Sequence, residues 1–346
     1  MVTPDRYHRQ RLVDGIGDEG QCAIINSTVA IVGVGALGCM SASILARAGV
    51  GNLILIDRDI VEKTNLQRQI LFTEEDATTQ QPKATAAATR LSAVNSDIAI
   101  TAHVEDLTAR NIDRLLSGVD VIVDGLDNFN TRYLLNDYAV KTNTPFMFAG
   151  VIASQGNVMS IIPGVTPCLR CLFPDPPKSN EQDTCDTIGV LAPAIGIAAS
   201  CQCMDVLKFL TGNLDNISRT ILTFDLWNTV SNRISCDGPV DDCKCCHQEQ
   251  FDFLAAAVSE PVALCGKLAV SLPSPEHFDF LAAAKKLQEH GSFECSDTMI
   301  RGEFHEEQGT DGTAIVLLCF HNGRAIIHGT NDILRAKAIF ERYVGN

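Results

Sequence analysis

A continuous apolar run, TVAIVGV over residues 28–34, leads straight into Gly33-Val34-Gly35-Ala36-Leu37-Gly38 and then an Ala/Leu-rich stretch to about residue 48. This feature constrains the chain more than any other. A buried strand that turns on glycines into a helix is the opening unit of a parallel α/β sheet. Gly33, Gly35 and Gly38 permit the tight turn and let backbone N–H groups approach a phosphate, where the helix dipole favours an anion. A second apolar run, NLILID, ends on Asp57, nineteen positions after Gly38. A carboxylate placed there can accept hydrogen bonds from ribose hydroxyls. The set points to a nucleotide without choosing among NAD, flavin, SAM and ATP, and a glycine turn kept for packing alone would look the same.

The alternation continues. Residues 82–95 and 128–141 read as helices, and residues 98–104, 120–125 and 145–151 as strands, with two later strands at 157–162 and 220–224. Apolar runs alternating with helices predict a Rossmann-like, doubly wound, mainly parallel sheet covered on both faces. Residues 4–25 read as one amphipathic helix. The longest apolar stretch, 189–210, is interrupted by Pro193, Ser200, Gln202, Asp205 and Lys208, so it reads as a buried helix and not a membrane span. Residues 174–188 are polar and Pro-rich and read as an exposed loop. The pattern changes after about residue 250: a strand at 262–270, a helix at 278–289, strands at 298–304, 313–320 and 324–328, and a last helix to 343. Asn322-Gly323 supplies a hairpin turn. The expected organisation is a nucleotide-type domain over 1–250 and a small α+β module over 251–346.

Forty-two acidic against 27 basic residues give a formal net charge of -15, which disfavours nucleic acid and anionic membranes as partners. The polar N-terminus lacks a signal-peptide core, so a cytoplasmic setting is expected. There the 14 cysteines do not form a disulfide framework, and metal binding, catalysis or packing must explain them. Cys168/Cys171 and Cys243/Cys246 are two C-x₂-C pairs suited to a closed tetrahedral zinc site joining distant segments, with redox chemistry as the alternative. Cys245 and His247 compete with Cys246 as the fourth ligand. Cys185, in the polar loop, is either a nucleophile with a lowered pKa or incidental. Cys22, Cys39, Cys201, Cys203, Cys265 and Cys319 read as core or helix-face residues.

Three further groups lie near the expected carboxyl edge of the sheet, where such folds bind ligands. Asn65-Leu66-Gln67-Arg68-Gln69 follows the second strand, and Gln81-Pro82-Lys83 opens the next helix. Arg68 can clamp phosphate oxygens and Lys83 can set a point charge against them. Asp127 follows DVIVDGL, placed to hold Mg²⁺ on nucleotide phosphates or else to cap the helix from Asn128. Arg9, within RYHRQ, would by itself be a surface-helix residue.

Taken in order, RYHRQ, GVGALGC, LIDRDIVEKTNLQRQILF, QPK, GLDN, CLRC, TCDTIGVLAPAIG and CKCC resemble the ThiF/MoeB/HesA family, relatives of ubiquitin-activating enzymes, over about residues 7–246. The resemblance implies an ATP-dependent adenylyltransferase that activates the C-terminal glycine carboxylate of a ubiquitin-like sulfur-carrier protein. It assigns the three glycines and Asp57 to the adenosine and phosphates, and Asn65, Arg68 and Lys83 to phosphate handling. Asp127 becomes the magnesium-associated aspartate, and the two cysteine pairs become the zinc site. Arg9 becomes an arginine that reaches across a homodimer interface. Cys185 becomes a cysteine that carries sulfur or links to the carrier, with a sulfur donor such as a cysteine desulfurase upstream. The tail, FHNGRAIIHGT with AKAIFERYVG, resembles the C-terminal extension of Bacillus-type ThiF members. That implies a ThiS-like carrier and thiamin thiazole synthesis, with a MoaD-like carrier of molybdenum cofactor synthesis as the alternative. From other classes, an NAD or flavin oxidoreductase and a non-catalytic carrier-binding protein stand as rivals.

Overall fold

The computed structural model describes residues 5–176, 188–236, 238–255, 262–263, 268–275, 277–296, 299–310 and 312–345. The chain forms two compact units, Met1–Ala257 and Val258–Asn346.

In the first unit, β1 (Thr28–Val32), β2 (Asn52–Ile56), β3 (Ala99–His103), β4 (Val121–Asp124) and β5 (Phe146–Ile152) pair in parallel in the order β3-β2-β1-β4-β5. Both faces of β1 are covered. Val29 and Ile31 enter one apolar cluster with Leu45, Leu53 and Leu91, while Ala30 and Val32 enter the other with Ile122, Tyr133 and Phe146. Alternate residues of a strand face opposite sides, so a strand that is apolar throughout requires two covers. β6 (Gln155–Ile161), β7 (Thr220–Asp225) and β8 (Val230–Ser235) extend the sheet antiparallel from β5. The last of these, exposed at every position, is the edge strand that VSNRIS does not announce by hydropathy.

The chain runs outward from β1 to β2 and β3, returns, and continues from β4 to β5. The reversal between β1 and β4 opens a crevice at the carboxyl ends of the strands. The long apolar stretch forms the helix Ala192–Leu210, which packs on β5, β6 and the helix Ala36–Ala48. Its length and hydropathy would suit a membrane span. Its buried Gln202 instead donates to the carbonyls of Asp124 at 3.0 Å and Met147 at 2.6 Å and accepts from Ser41 at 3.0 Å, as a core helix does.

The expected single helix over 4–25 breaks into a 3₁₀ turn Asp5–Tyr7, a short helix His8–Arg11 and the helix Gly17–Ile25. Gly17 at φ +58° supplies the break, in a conformation only glycine takes readily.

The second unit is a six-stranded sheet in the order β11-β12-β13-β14-β10-β9. Its strands are β9 (Val262–Ala263), β10 (Ala269–Leu272), β11 (Gly291–Cys295), β12 (Met299–Gln308), β13 (Ala314–Phe320) and β14 (Ala325–His328). The helices Phe280–Leu287 and Ile333–Tyr343 close its core over Val270, Ile300, Leu317 and Ile327. The strand expected over 262–270 is two antiparallel strands, and β11 was not visible in the sequence pattern. Between β13 and β14, Phe320 and Arg324 close the turn by a backbone bond of 2.8 Å, with Gly323 at φ +84°.

Candidate active site

The crevice is built first from glycine. A Cβ on Gly33 would lie 2.6 Å from the Gly125 carbonyl oxygen, one on Gly38 1.9 Å from the Gly33 oxygen, and one on Gly125 2.0 Å from that same oxygen. These three interlock the β1 turn with the end of β4, and packing accounts for them. Gly35, the N-cap of the helix Ala36–Ala48, differs: a Cβ there would meet nothing nearer than 3.8 Å. Packing does not require glycine at that position, but a ligand approaching the backbone at a helix N-terminus would.

Asp57 follows β2 and is buried. Its Oδ2 accepts from the Val34 N–H at 2.6 Å and its Oδ1 from the Asp59 N–H at 2.7 Å, which fixes the glycine turn. Burial raises its pKa, and the opposing Lys83 charge does not cancel that rise. Each carboxylate oxygen has a second lone pair, so both can still accept from a ligand.

Lys83 is carried in by a short ladder. Ile60 bridges Pro82, the Val61 N–H donates to the Gln81 carbonyl at 2.8 Å, and the Lys83 N–H to the Asp59 carbonyl at 2.8 Å. The ammonium, almost wholly buried, then lies 3.3 Å from the Asp59 carboxylate. Burial works against its charge, but Asp59, Asp57 and Asp127 outweigh burial and push its pKa up. Asp59 and the neighbouring Arg58, which pairs with Asp106 at 2.9 Å, escaped the sequence reading. The signal was present in IDRD, but nothing in it says which carboxylate meets the lysine.

Asp127 is exposed at the mouth of the crevice. The helix Phe129–Thr142 is capped by Asn128, whose side chain accepts from the Thr131 N–H at 3.0 Å, and so the capping alternative for Asp127 is overturned. Asn65 is buried, and its Oδ1 accepts from the Glu62 N–H at 3.0 Å to close the turn Lys63–Asn65. Arg68 is half-buried and donates to the Thr64 carbonyl at 3.0 Å. It makes no ion pair among the described residues.

Beneath Asp127 lies a buried ion pair that sequence inspection missed. Arg132 Nε donates to Asp124 at 2.8 Å, and its Nη2 to the carbonyls of Leu126 at 2.6 Å and Ala149 at 3.0 Å. The guanidinium also lies over the rings of Phe129 and Phe148. One side chain thus ties the ends of β4 and β5 to the loop that presents Asp127.

Arg9 is not brought to this place. It is exposed on the short helix His8–Arg11, next to Tyr7, whose hydroxyl accepts from Asn95 at 2.8 Å. Gln10 donates to the Ala48 carbonyl at 2.9 Å. Ala48 ends the helix that Gly35 begins, a span of roughly 18 Å at 1.5 Å per residue. Arg9 therefore sits at the opposite edge of its own sheet. Cys185 lies outside the described residues.

A second constellation gathers Cys168, Cys171, Cys243 and Cys246, whose sulfurs all lie within 4.8 Å of one another. The measured pairs are 3.6 Å for Cys168–Cys243, 3.8 Å for Cys168–Cys171 and 3.3 Å for Cys171–Cys246. A tetrahedral ion with metal–sulfur bonds of about 2.3 Å requires sulfurs about 3.8 Å apart, so the set can hold a metal ion. Cys245 is excluded: fully buried, it accepts from the Asn136 amide at 3.4 Å. His247 is exposed and stands outside the cluster.

A doubly wound sheet with a glycine cradle, a buried lysine among carboxylates and a four-cysteine cluster places the chain among the nucleotide-handling α/β proteins, and within them it belongs to the ThiF family, whose model matches residues 7–245. Among its relatives, the chain is 40% identical over 344 residues to the sulfur carrier protein ThiS adenylyltransferase of Bacillus subtilis (strain 168), covering 98% of this chain and 99% of that protein. It is 37% identical over 244 residues to the adenylyltransferase and sulfurtransferase MOCS3 of Danio rerio, covering 70% of this chain and 53% of the relative. The crystal structure of E. coli MccB with ATP superposes with a TM-score of 0.61 at 25% identity, over 70% of this chain and 75% of that one.

Proposed function

We infer that this protein is an adenylyltransferase that uses ATP to activate the C-terminal carboxylate of a ubiquitin-like sulfur-carrier protein. The observation that carries the reading is Lys83, a buried cation paired with Asp59 at 3.3 Å, with Asp57 and the open glycine cradle on the same edge of the sheet. The family match and the adenylyltransferase relatives leave the oxidoreductase rival without support. The match to the B. subtilis enzyme spans both units, and this favours a ThiS-like carrier and thiamin thiazole synthesis. The MOCS3 match sustains the MoaD-like alternative, but it covers 70% of the chain.

In the proposed reaction a carboxylate oxygen of the carrier attacks the α-phosphorus, the bond to the bridging oxygen breaks, and its electron pair leaves with pyrophosphate. The attacking carboxylate is already ionised near neutral pH, so no general base is needed. Catalysis rests on alignment and on stabilising the leaving charge. The turn that Gly33 and Gly38 lock, with Gly35 open to the ligand, and Asp57 would hold the adenosine and its phosphates, and Asn65, Arg68 and Lys83 would handle the phosphates and the charge that develops on pyrophosphate. Asp127 would hold Mg²⁺, which neutralises phosphate charge when bound. Its exposure and its freedom from capping support that role. The four cysteines would hold a structural Zn²⁺, and the sulfur spacing supports it.

Arg9 lies at the far edge of its own sheet, and a homodimer would let it act in the partner's crevice instead. Cys185 would act after adenylation, in passing sulfur from a donor such as a cysteine desulfurase. A cytoplasmic setting, in which thiols stay reduced for metal, fits the scheme.

The test is pyrophosphate release from ATP with purified carriers ending in Gly-Gly. Release that depends on a ThiS-like carrier is expected. Release with a MoaD-like carrier alone would reassign the partner, and tight carrier binding without release would leave a non-catalytic binding protein.

A further inference from the structure

Arg170 lies inside the first cysteine pair and is buried. Its Nη2 donates to the Asp252 carboxylate at 2.8 Å and its Nη1 to the Gln250 carbonyl at 2.9 Å, with the buried Asp137 carboxylate 3.5 Å from Nη1. The guanidinium also lies over the Phe253 ring. From the helix Phe129–Thr142, Asp137 accepts from the Phe253 N–H at 3.0 Å, and the Tyr133 ring packs on the Phe253 ring with centroids 5.0 Å apart. These contacts grip residues 250–253, close to the end of the first unit at Ala257.

The second cysteine pair reaches the same segment. The N–H groups of His247 and Gln248 donate to the Cys243 carbonyl at 3.2 and 3.0 Å, that of Glu249 to the Cys245 carbonyl at 3.1 Å, and that of Gln250 to the Lys244 carbonyl at 2.8 Å. The segment thus hangs from one pair and is gripped from the other.

The aim of Arg170 depends on the cysteines. It is carried by Leu169–Leu172, a single helical turn of four residues. One turn has little stability of its own, because nucleation costs more than its first hydrogen bond returns. Cys168 precedes the turn and Cys171 lies within it, so an ion held by both fixes it at two points. The Leu169 N–H, which donates to Asn136 at 2.7 Å, adds a third. A buried guanidinium among carboxylates adds little net stability, but its directional bonds set the position of what it grips.

We propose that the four-cysteine site is a metal-operated clasp on the chain that leaves the first unit. With a thiolate-preferring divalent cation bound, Cys168, Cys171, Cys243 and Cys246 hold Arg170 in place, and Arg170 holds residues 250–253. Without the cation the segment is released and the sheet stays folded, because the apolar cluster over Val29, Ile31, Leu53 and Leu91 includes none of these cysteines. The inference rests on the metal reading of the cluster and is independent of the adenylylation reading.

The test follows amide exchange by mass spectrometry in the full chain loaded with Zn²⁺, stripped by a chelator and reloaded, with metal content measured in each state. Stripping should speed exchange over residues 250–255 about a hundredfold, the worth of two hydrogen bonds from a charged group. Peptides over 28–32 and 52–56 should stay as they were, and reloading should restore protection. Arg170→Met and Asp252→Ala should both keep the metal. Arg170→Met should exchange over 250–255 as stripped wild type does. Asp252→Ala, which removes the exposed end of the grip, should exchange there about tenfold faster than loaded wild type; if Arg170→Met does not fold, this variant decides. Unchanged exchange over 250–255 after stripping, or in the metal-loaded variants, would overturn the proposal. So would protection lost evenly over β1 and β2, which would make the ion a general stabiliser. A wild type that retains no metal would overturn the metal reading and the clasp with it.

Discussion

The two units handle charge in opposite ways. The first buries Asp57, Lys83, Asp124, Arg132, Asp137, Arg170 and Asp205. Among the described residues of the second, Arg324 is the one buried charged side chain, and the core is otherwise aliphatic and aromatic. Buried ion pairs seldom add net stability, because desolvation offsets the attraction. Four of them, Asp57, Lys83, Asp124 and Arg132, gather at the carboxyl edge of the sheet, and there the cost is a mark of function.

The sharpest way to break that comparison is to remove charge where it is held for chemistry. Lys83→Ala should lower carrier-dependent ATP–pyrophosphate exchange by about a thousandfold, the upper range for loss of one preorganised stabilising group. Exchange within tenfold of wild type would show that the buried cation serves the fold.

Next comes the pair beneath Asp127. Arg132→Met should cost about 3–5 kcal/mol in denaturant unfolding, because the Asp124 carboxylate is left buried and alone. The double variant Asp124→Leu/Arg132→Met should recover much of that stability, yet keep a defect in exchange, since the Leu126 and Ala149 carbonyls lose their donor. In the second unit, Ile327→Ala should cost a similar 2–5 kcal/mol through its cavity and leave exchange by the folded protein unchanged. A double variant with full activity would make the pair structural, and the contrast between units would lose its meaning.

The cysteine cluster gives a smaller and more local effect. Cys246→Ser should lower the metal content measured by inductively coupled plasma mass spectrometry and speed amide exchange around residues 168–171 and 243–246, while peptides over 314–328 stay as they were. Cys245→Ala should retain the metal. The reverse result would reassign the fourth ligand.

The smallest effect is on acid stability. Hydrogen bonds from Asn228 and Ser154, and then Gln155, hold the half-buried Asp225 carboxyl at about 2. A depressed folded pKa gives a contribution that is full above the unfolded value of about 4 and is lost as pH falls through the folded one. Asp225→Asn should therefore flatten the acid-unfolding curve between about pH 4 and pH 2, read by circular dichroism, and change little at neutral pH. An unchanged curve would show that the β7–β8 turn is indifferent to that charge.

Much of the fold was legible because β1, β2 and β4 are apolar at nearly every position, and only a sheet covered on both faces makes use of that. β8 and β11 were not legible, because neighbours pair them and their own hydropathy does not. The single helix expected over 4–25 failed at Gly17, where local backbone freedom overrode an amphipathic pattern. In the site, Lys83 and Asp127 were visible from their positions after turns and strands, whereas Asp59 and Arg132 were not.

The sequence by itself settled that a glycine turn would follow a buried strand, that four thiols in two pairs would be available together, and that cations would stand near the sheet's carboxyl edge. Those are consequences of local chain chemistry and of spacing. Only the tertiary structure decided that Asn128 and not Asp127 caps its helix, that Cys246 and not Cys245 completes the four-sulfur set, and that Arg9 sits a helix-length from the crevice. Each depends on which group a side chain meets across many intervening residues, and burial there sets a cost for every unpaired charge or amide that no stretch of sequence expresses.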